Sequence, residues 1–238
     1  MKRVGAASVL VLGAMLAPTA AAQSLLVSYS GGTGGKGYGF SNTEYFTAEV
    51  DAAFDSVTMT ANLNNLGQMM SYDALLVDQR WRTGSLNATE MANLEAFIAT
   101  GRKVVIFGEK VEGNWWQNWN TQVMQIAGGH LDTASNQDIV NVVGADAILT
   151  QGVESVRTVG AATVKGGTAF FDRNFATMWG ANVLTVMDTD VVDDRYWFDQ
   201  DNAVFSANIA TWLAAPIPAP SSAMGLGLVG LAALRRRR

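Results

Sequence analysis

The 238-residue chain contains no cysteine, one histidine and four prolines. Without a thiol there is no disulfide framework, no thiolate nucleophile and no thiolate metal ligand, so an apolar core has to hold the fold. A single histidine, His130, argues against zinc, which generally takes two or more nitrogen or sulfur ligands. Any serine-histidine-aspartate triad would have to use that residue, and Gly128-Gly129-His130 reads as a loop. Basic charge is also scarce away from the ends. Lys2, Arg3, Arg235, Arg236, Arg237 and Arg238 take six of the 16 basic residues, leaving ten against 21 acidic ones, all of the latter between Glu44 and Asp201. So acidic a body repels phosphate backbones and excludes nucleic acid as the expected partner; a solvated surface outside the cell, or cation association, fits better.

Both ends carry addresses. Lys2 and Arg3 precede an apolar run over residues 4–17, and Ala20-Ala21-Ala22 supplies small residues for signal peptidase before Gln23. Residues 1–22 therefore read as a secretory signal peptide and residues 23–215 as the exported domain. The remaining residues, 216–238, read PIPAPSSAMGLGLVGLAALRRRR. Their apolar run from Ser221 is about half of the roughly 20 residues a membrane-spanning helix needs, and Gly225, Gly227 and Gly230 weaken it as a helix. The arginines hold its end on the cytoplasmic side. A short span with a basic stop is a retention signal that a later step removes.

On these residues the tail resembles a PEP-CTERM sorting signal, with Pro218-Ala219-Pro220 as its motif, a glycine- and leucine-rich span, and Arg235, Arg236, Arg237 and Arg238 as its basic cluster. Ala219 stands where the family has glutamate. The resemblance implies transient anchoring in the inner membrane, processing by an exosortase-like enzyme, and release to the cell surface or the extracellular matrix, often alongside exopolysaccharide.

Between the ends, strand and helix patterns alternate, which predicts an α/β fold with a mostly parallel sheet. Strands are expected over residues 24–30, 56–61, 72–78, 103–107 and 182–187. Ser41 and Glu44 read as a capping box opening a helix towards Phe54. Asn87 with Glu90 opens a second, which places Met91, Leu94, Phe97 and Ile98 on one face and ends at Gly101; Asn87-Ala88-Thr89 also matches a glycosylation sequon, but the cap explains Asn87 better. Further helices are expected over residues 115–127 and 203–214. The buried strand YDALLVD, the run GRKVVIFGE ending at Glu109, and DNAVFSANIATWL from Asp201 together resemble the class I glutamine amidotransferase-like domain. That resemblance implies a flavodoxin-like three-layer sandwich. Catalytic members use a cysteine at a strand-to-helix elbow; here the elbow reads Phe107-Gly108-Glu109-Lys110, which excludes glutaminase chemistry.

Three stretches carry candidate chemistry. The glycine-rich SGGTGGKGYG over residues 30–39 satisfies G-x-G-x-x-G, but its last glycine does not open a helix and no acidic residue ends the second strand, so a surface loop is expected. The cluster Asp188, Asp190, Asp193 and Asp194 offers hard oxygen ligands suited to calcium, although a solvated loop with an aspartate capping the last helix accounts for it as well. The stretch NWWQNWN presents Asn114, Trp115, Asn118 and Trp119 as a glycan-contacting surface. Helical spacing opposes part of this, because Trp116, Trp119, Val123 and Ile126 share a core-facing stripe and leave Trp115 outside. The sequence thus points to an exported, non-catalytic envelope or matrix protein in contact with exopolysaccharide. The alternatives are a surface-polymer hydrolase, which requires acidic side chains such as Glu109 and Asp188 to converge in an open cleft, and a calcium-stabilised binding module.

Overall fold

The computed structural model describes residues 23–29, 37–38, 42–134 and 137–216. The signal segment, most of the glycine-rich loop, Ser41, and the tail residues Pro218, Ala219, Pro220, Arg235, Arg236, Arg237 and Arg238 lie outside them. No helix among the described residues is long and apolar enough to cross a membrane.

The strands are β1 Ser24–Ser28, β2 Ser56–Thr60, β3 Ala74–Val77, β4 Lys103–Phe107, β5 His130–Ala134, β6 Gln137–Asn141, β7 Ser155–Val159, β8 Ala162–Lys165, β9 Thr168–Ala169, β10 Ala176–Trp179 and β11 Val183–Val186. The helices are α1 Glu44–Ala53, α2 Leu66–Met69, α3 Ala88–Ile98, α4 Gln117–Ala127 and α5 Asn202–Ala214. One seven-stranded sheet has the order β2-β1-β3-β4-β11-β10-β9. Its first five strands are parallel, and β10 and β9 continue it antiparallel. Two antiparallel ribbons, β5 with β8 and β6 with β7, are inserted between α4 and the far edge.

Side-chain alternation along the strands builds two cores. Leu25, Val27, Leu76, Val105, Phe107, Leu184 and Val186 meet Phe46 and Val50 of α1 and Phe205 and Ile209 of α5. Leu26, Leu75, Val77, Val104, Ile106 and Val183 meet Leu94 and Phe97 of α3 and Trp119 and Val123 of α4. Both faces of the sheet are covered, which is why β3 and β4 read as continuous apolar runs. The result is the three-layer α/β/α sandwich expected from the sequence.

Helix starts depart from the sequence reading in instructive ways. The Asn87 side chain accepts from the Thr89 and Glu90 amides and Glu90 answers through the Asn87 amide, a complete capping box as expected. The expected Ser41–Glu44 box does not open α1. Its cap position is Thr43, with no side-chain cap of its own, and the Asp194 carboxylate supplies the acceptors, taking the Glu44 and Tyr45 amides at 3.1 Å each. An anion at a helix N-terminus also meets the positive end of the helix dipole. Asp201 makes no side-chain cap on α5; it accepts from the Glu154 and Ser155 amides at 2.8 and 3.1 Å and ties β7 to the helix start. Helix α4 begins at Gln117 because Trp116 adopts a left-handed φ of 58°. His130 opens strand β5 and does not lie in a loop.

Asp194 is thus a cap acting across 150 residues of sequence. We expect Asp194→Ala to lower stability by about 1 to 2 kcal/mol, the upper range for losing an N-cap, measured as a shift in urea midpoint at constant slope. A shift within error would remove the cap assignment.

Candidate functional site

In the pairing of β4 with β11, Phe107 lies opposite Val186. Two residues beyond each of these positions the chain places Glu109 beside Asp188, at the carboxyl edge of the sheet where α/β folds bind ligands. A 3-10 turn, Thr189–Val192, follows at once, with the Asp188 side chain accepting from the Asp190 amide at 2.9 Å. Glu109, Asp188 and Asp190 consequently each bring a carboxylate oxygen within 4.8 Å of the others.

The surroundings hold these groups firmly. Glu109 accepts from the Thr189 hydroxyl at 2.8 Å and the Lys110 amide at 2.9 Å. The Asn120 side-chain amide clamps the Glu109 backbone, accepting from its N–H at 3.3 Å and donating to its carbonyl. The Val159 amide donates to Asp188 at 2.8 Å, and the Gly160 carbonyl accepts from the Lys110 amide at the same distance. The chain passes closely here: a Cβ on Gly108 would stand 2.6 Å from the Met187 sulfur and 3.1 Å from the Asn120 oxygen, so a larger residue would make the Met187 side chain shift. A cleft of about 230 Å³ reaches Glu109 and Asp190, lined also by Lys110, Trp116, Gly160 and Arg195.

Burial governs the electrostatics. Asp188 is wholly buried and Glu109 is 9 % exposed. Burial, reinforced by Asp188 and then Asp190, holds the Glu109 carboxyl well above the ordinary range. Burial and then Asp190 push Asp188 up to about 8. Asp190 rises to about 6 through burial, with Arg195 drawing it back down. Arg195 reaches Asp190 at 3.1 Å but forms its two-pronged pair with Asp193, at 2.8 and 3.0 Å. Burial and mutual repulsion thus favour the protonated form of Glu109 and Asp188 more than an exposed carboxyl would allow.

The sequence-derived calcium set divides. Asp188 and Asp190 do converge, joined by Glu109, whereas Asp193 is committed to Arg195 and Asp194 to the start of α1. The two acidic residues singled out for hydrolysis, Glu109 and Asp188, meet as that reading required. Only Glu109 of the pair lines the cleft, since Asp188 is wholly buried and offers no surface to a substrate, whereas a glycoside hydrolase places two carboxyls about 5 to 9.5 Å apart around one sugar bond. In the NWWQNWN stretch, Asn114, Trp115 and Asn118 are exposed. Trp119 is fully buried with its indole N–H on the Phe107 carbonyl at 2.8 Å, so it packs the core and presents no face to a glycan.

Comparison with solved structures places this architecture. The N-terminal domain of mmIFT52 aligns over 82 % of this chain and 98 % of its own, with TM-score 0.63 at 8 % identity. A GMP synthase-type protein of Thermoplasma acidophilum aligns over 81 % and 94 %, with TM-score 0.55 at 9 % identity. The chain has the class I glutamine amidotransferase-like, flavodoxin-like fold. A glutamine amidotransferase of Thermotoga maritima agrees, with TM-score 0.51 at 8 % identity over 81 % and 96 %. No family model matches the sequence, and no curated protein matches it. At such identities the likeness establishes the fold alone.

Sequence reasoning did not single out Thr189, Asn120 or Arg195 as parts of the site. Thr189 was recoverable, because Asp-Thr-Asp directly after a strand makes an Asx-type turn. The other two reach the site through tertiary packing.

A carboxyl whose pKa is raised by folding keeps its proton in the native state after the unfolded chain has released it. For Asp188 the window runs from the ordinary 3.8 to about 8, and across it rising pH favours unfolding. We expect the urea midpoint in chelated buffer to fall between about pH 5 and about pH 8, and the fall to be visibly shallower in Asp188→Asn. Equal slopes in the two proteins would contradict the protonated cluster.

Proposed function

We propose that this is an exported cell-envelope or extracellular-matrix protein whose amidotransferase-like domain serves in binding and not in catalysis, delivered by its tail and in contact with exopolysaccharide. One observation carries the non-catalytic part. The strand end that gives catalytic members their nucleophile holds Glu109, fixed by Thr189, Lys110 and Asn120 and packed beneath the Val159–Gly160 turn. A nucleophile has to be free to meet its substrate, whereas this side chain, though it lines the cleft, is only 9 % exposed and is tied by two donors. Export, signal peptidase, the exosortase-like step and the destination rest on the terminal sequences. Glycan contact rests on exposed Trp115 with Asn114 and Asn118 beside it.

The test is co-sedimentation of the purified chain with exopolysaccharide from the source organism. Parent protein should pellet with the polymer, and Trp115→Ala should stay in the supernatant while keeping its melting temperature. Pelleting unchanged by the substitution would move the contact elsewhere; no pelleting of the parent would end the exopolysaccharide reading.

A calcium-stabilised binding module is the second reading, favoured by the convergence of Glu109, Asp188 and Asp190. It predicts that a chelator lowers the melting temperature and that Asp190→Ala abolishes the difference. A chelator without effect on the parent protein would leave the protons in possession of the cluster.

A further inference from the structure

Beside the buried cluster stands one that reaches the surface through Arg82 and Trp115. The loop after β3 carries Trp81 and Arg82, and the segment before α4 carries Trp115 and Trp116. The Arg82 guanidinium lies 4.6 Å from the Trp81 ring centroid and 4.1 Å from that of Trp115. Trp116 meets both neighbouring indoles edge-on, at 6.1 Å from Trp81 and 5.9 Å from Trp115.

The backbone beneath is strained. Arg82 and Trp116 have φ of 51° and 58°, and they are two of the three described non-glycine residues in the left-handed region. The Trp116 amide donates to the Arg82 carbonyl at 2.6 Å, so each strained residue holds the other. Such conformations are costly, persist where surrounding structure enforces them, and cluster at active sites, ligand clamps and switch regions. The neighbouring anchor is Arg80, buried against Glu90 at 3.0 Å and donating to the Ser28 hydroxyl.

Arg82 itself is exposed, and no carboxylate among the described residues forms an ion pair with it. A guanidinium stacked on indoles has given up rotational freedom while its in-plane N–H fork stays available for a carboxylate. Trp115 is itself 37 % exposed, and Asn114, Gln117 and Asn118 add exposed amides that suit hydroxyl groups.

We infer that Arg82 and Trp115 form a binding site for an acidic polysaccharide, with a uronate carboxylate on the Arg82 fork and a sugar ring against Trp115. This rests on the glycan-contact reading above and names its substrate class. A protein with such an excess of acidic residues needs a local, preorganised cation to take a polyanion, and Arg82 is one.

The experiment uses the purified chain with polygalacturonate, neutral dextran and poly-glutamate, followed by tryptophan fluorescence and by retardation in affinity gels. The parent should bind polygalacturonate more tightly than either other polymer. Arg82→Gln should weaken that binding about tenfold or more, as expected for losing a charge-assisted hydrogen bond, with an unchanged melting temperature. Trp115→Phe should retain more binding than Trp115→Ala. Equal binding of dextran and polygalacturonate, indifferent to Arg82→Gln, overturns the acidic-sugar inference while leaving glycan contact in place. Equal binding of poly-glutamate overturns the sugar component. Pelleting with native exopolysaccharide but not binding polygalacturonate overturns this inference alone, whereas failure with all of them overturns both readings.

Discussion

The register between β4 and β11 is the constraint on which the carboxyl edge of this molecule depends. With Phe107 opposite Val186, the Gly108 amide donates to the Val186 carbonyl at 2.8 Å, and equal steps beyond the pair bring two acidic residues side by side. A slip of one residue would turn both side chains to opposite faces and separate them. The apolar residues of the two strands forbid that slip, because Val105 and Leu184 fill one core while Val104 and Val183 fill the other. Packing energy therefore fixes an electrostatically unfavourable meeting, which raised pKa values and a shell of donors then relieve.

That relief uses chain from distant parts of the sequence. Val159 and Gly160 come from the inserted ribbons, Asn120 from α4, and Thr189 from the turn after β11. The turn also serves the opposite face of the sheet: its Val191 carbonyl accepts from buried Ser206 of α5, and Asp194 just beyond it caps α1. One short acidic segment therefore closes the cluster, positions two helices and holds Arg195. This explains why four closely spaced aspartates do not act as one ligand set.

Much of the central fold was legible because parallel strands buried on both faces leave continuous apolar runs, and because Asn87 and Glu90 form a local box. The ribbons were not legible. In β7, SVRTV alternates buried and half-buried positions over five residues, too short a period-two signal to stand out beside its neighbours. Helix starts failed where the deciding group is remote, as with Asp194 for α1, or where the backbone is strained, as at Trp116. In the tryptophan stretch, spacing correctly separated Trp116 and Trp119 from Trp115. What composition alone could not show is that Trp115 is paired with an arginine from the loop after β3.

The two clusters share a wall, since Trp116 lines the cleft above Glu109 and also packs against Trp81 and Trp115. Under the proposed reading this shared wall gives the binding surface its support. A strand end closed by a locked glutamate is a rigid joint, and rigidity is what a shallow binding surface needs from its support, because ordering loops on contact would consume affinity. The strained pair at Arg82 and Trp116 is then intelligible as ordering completed before any ligand arrives. The helix behind it is fixed at its own core by Trp119 on the Phe107 carbonyl, and the loop in front by Arg80 on Glu90. On that reading, recognition belongs to loops outside the sheet edge, which the buried edge keeps still.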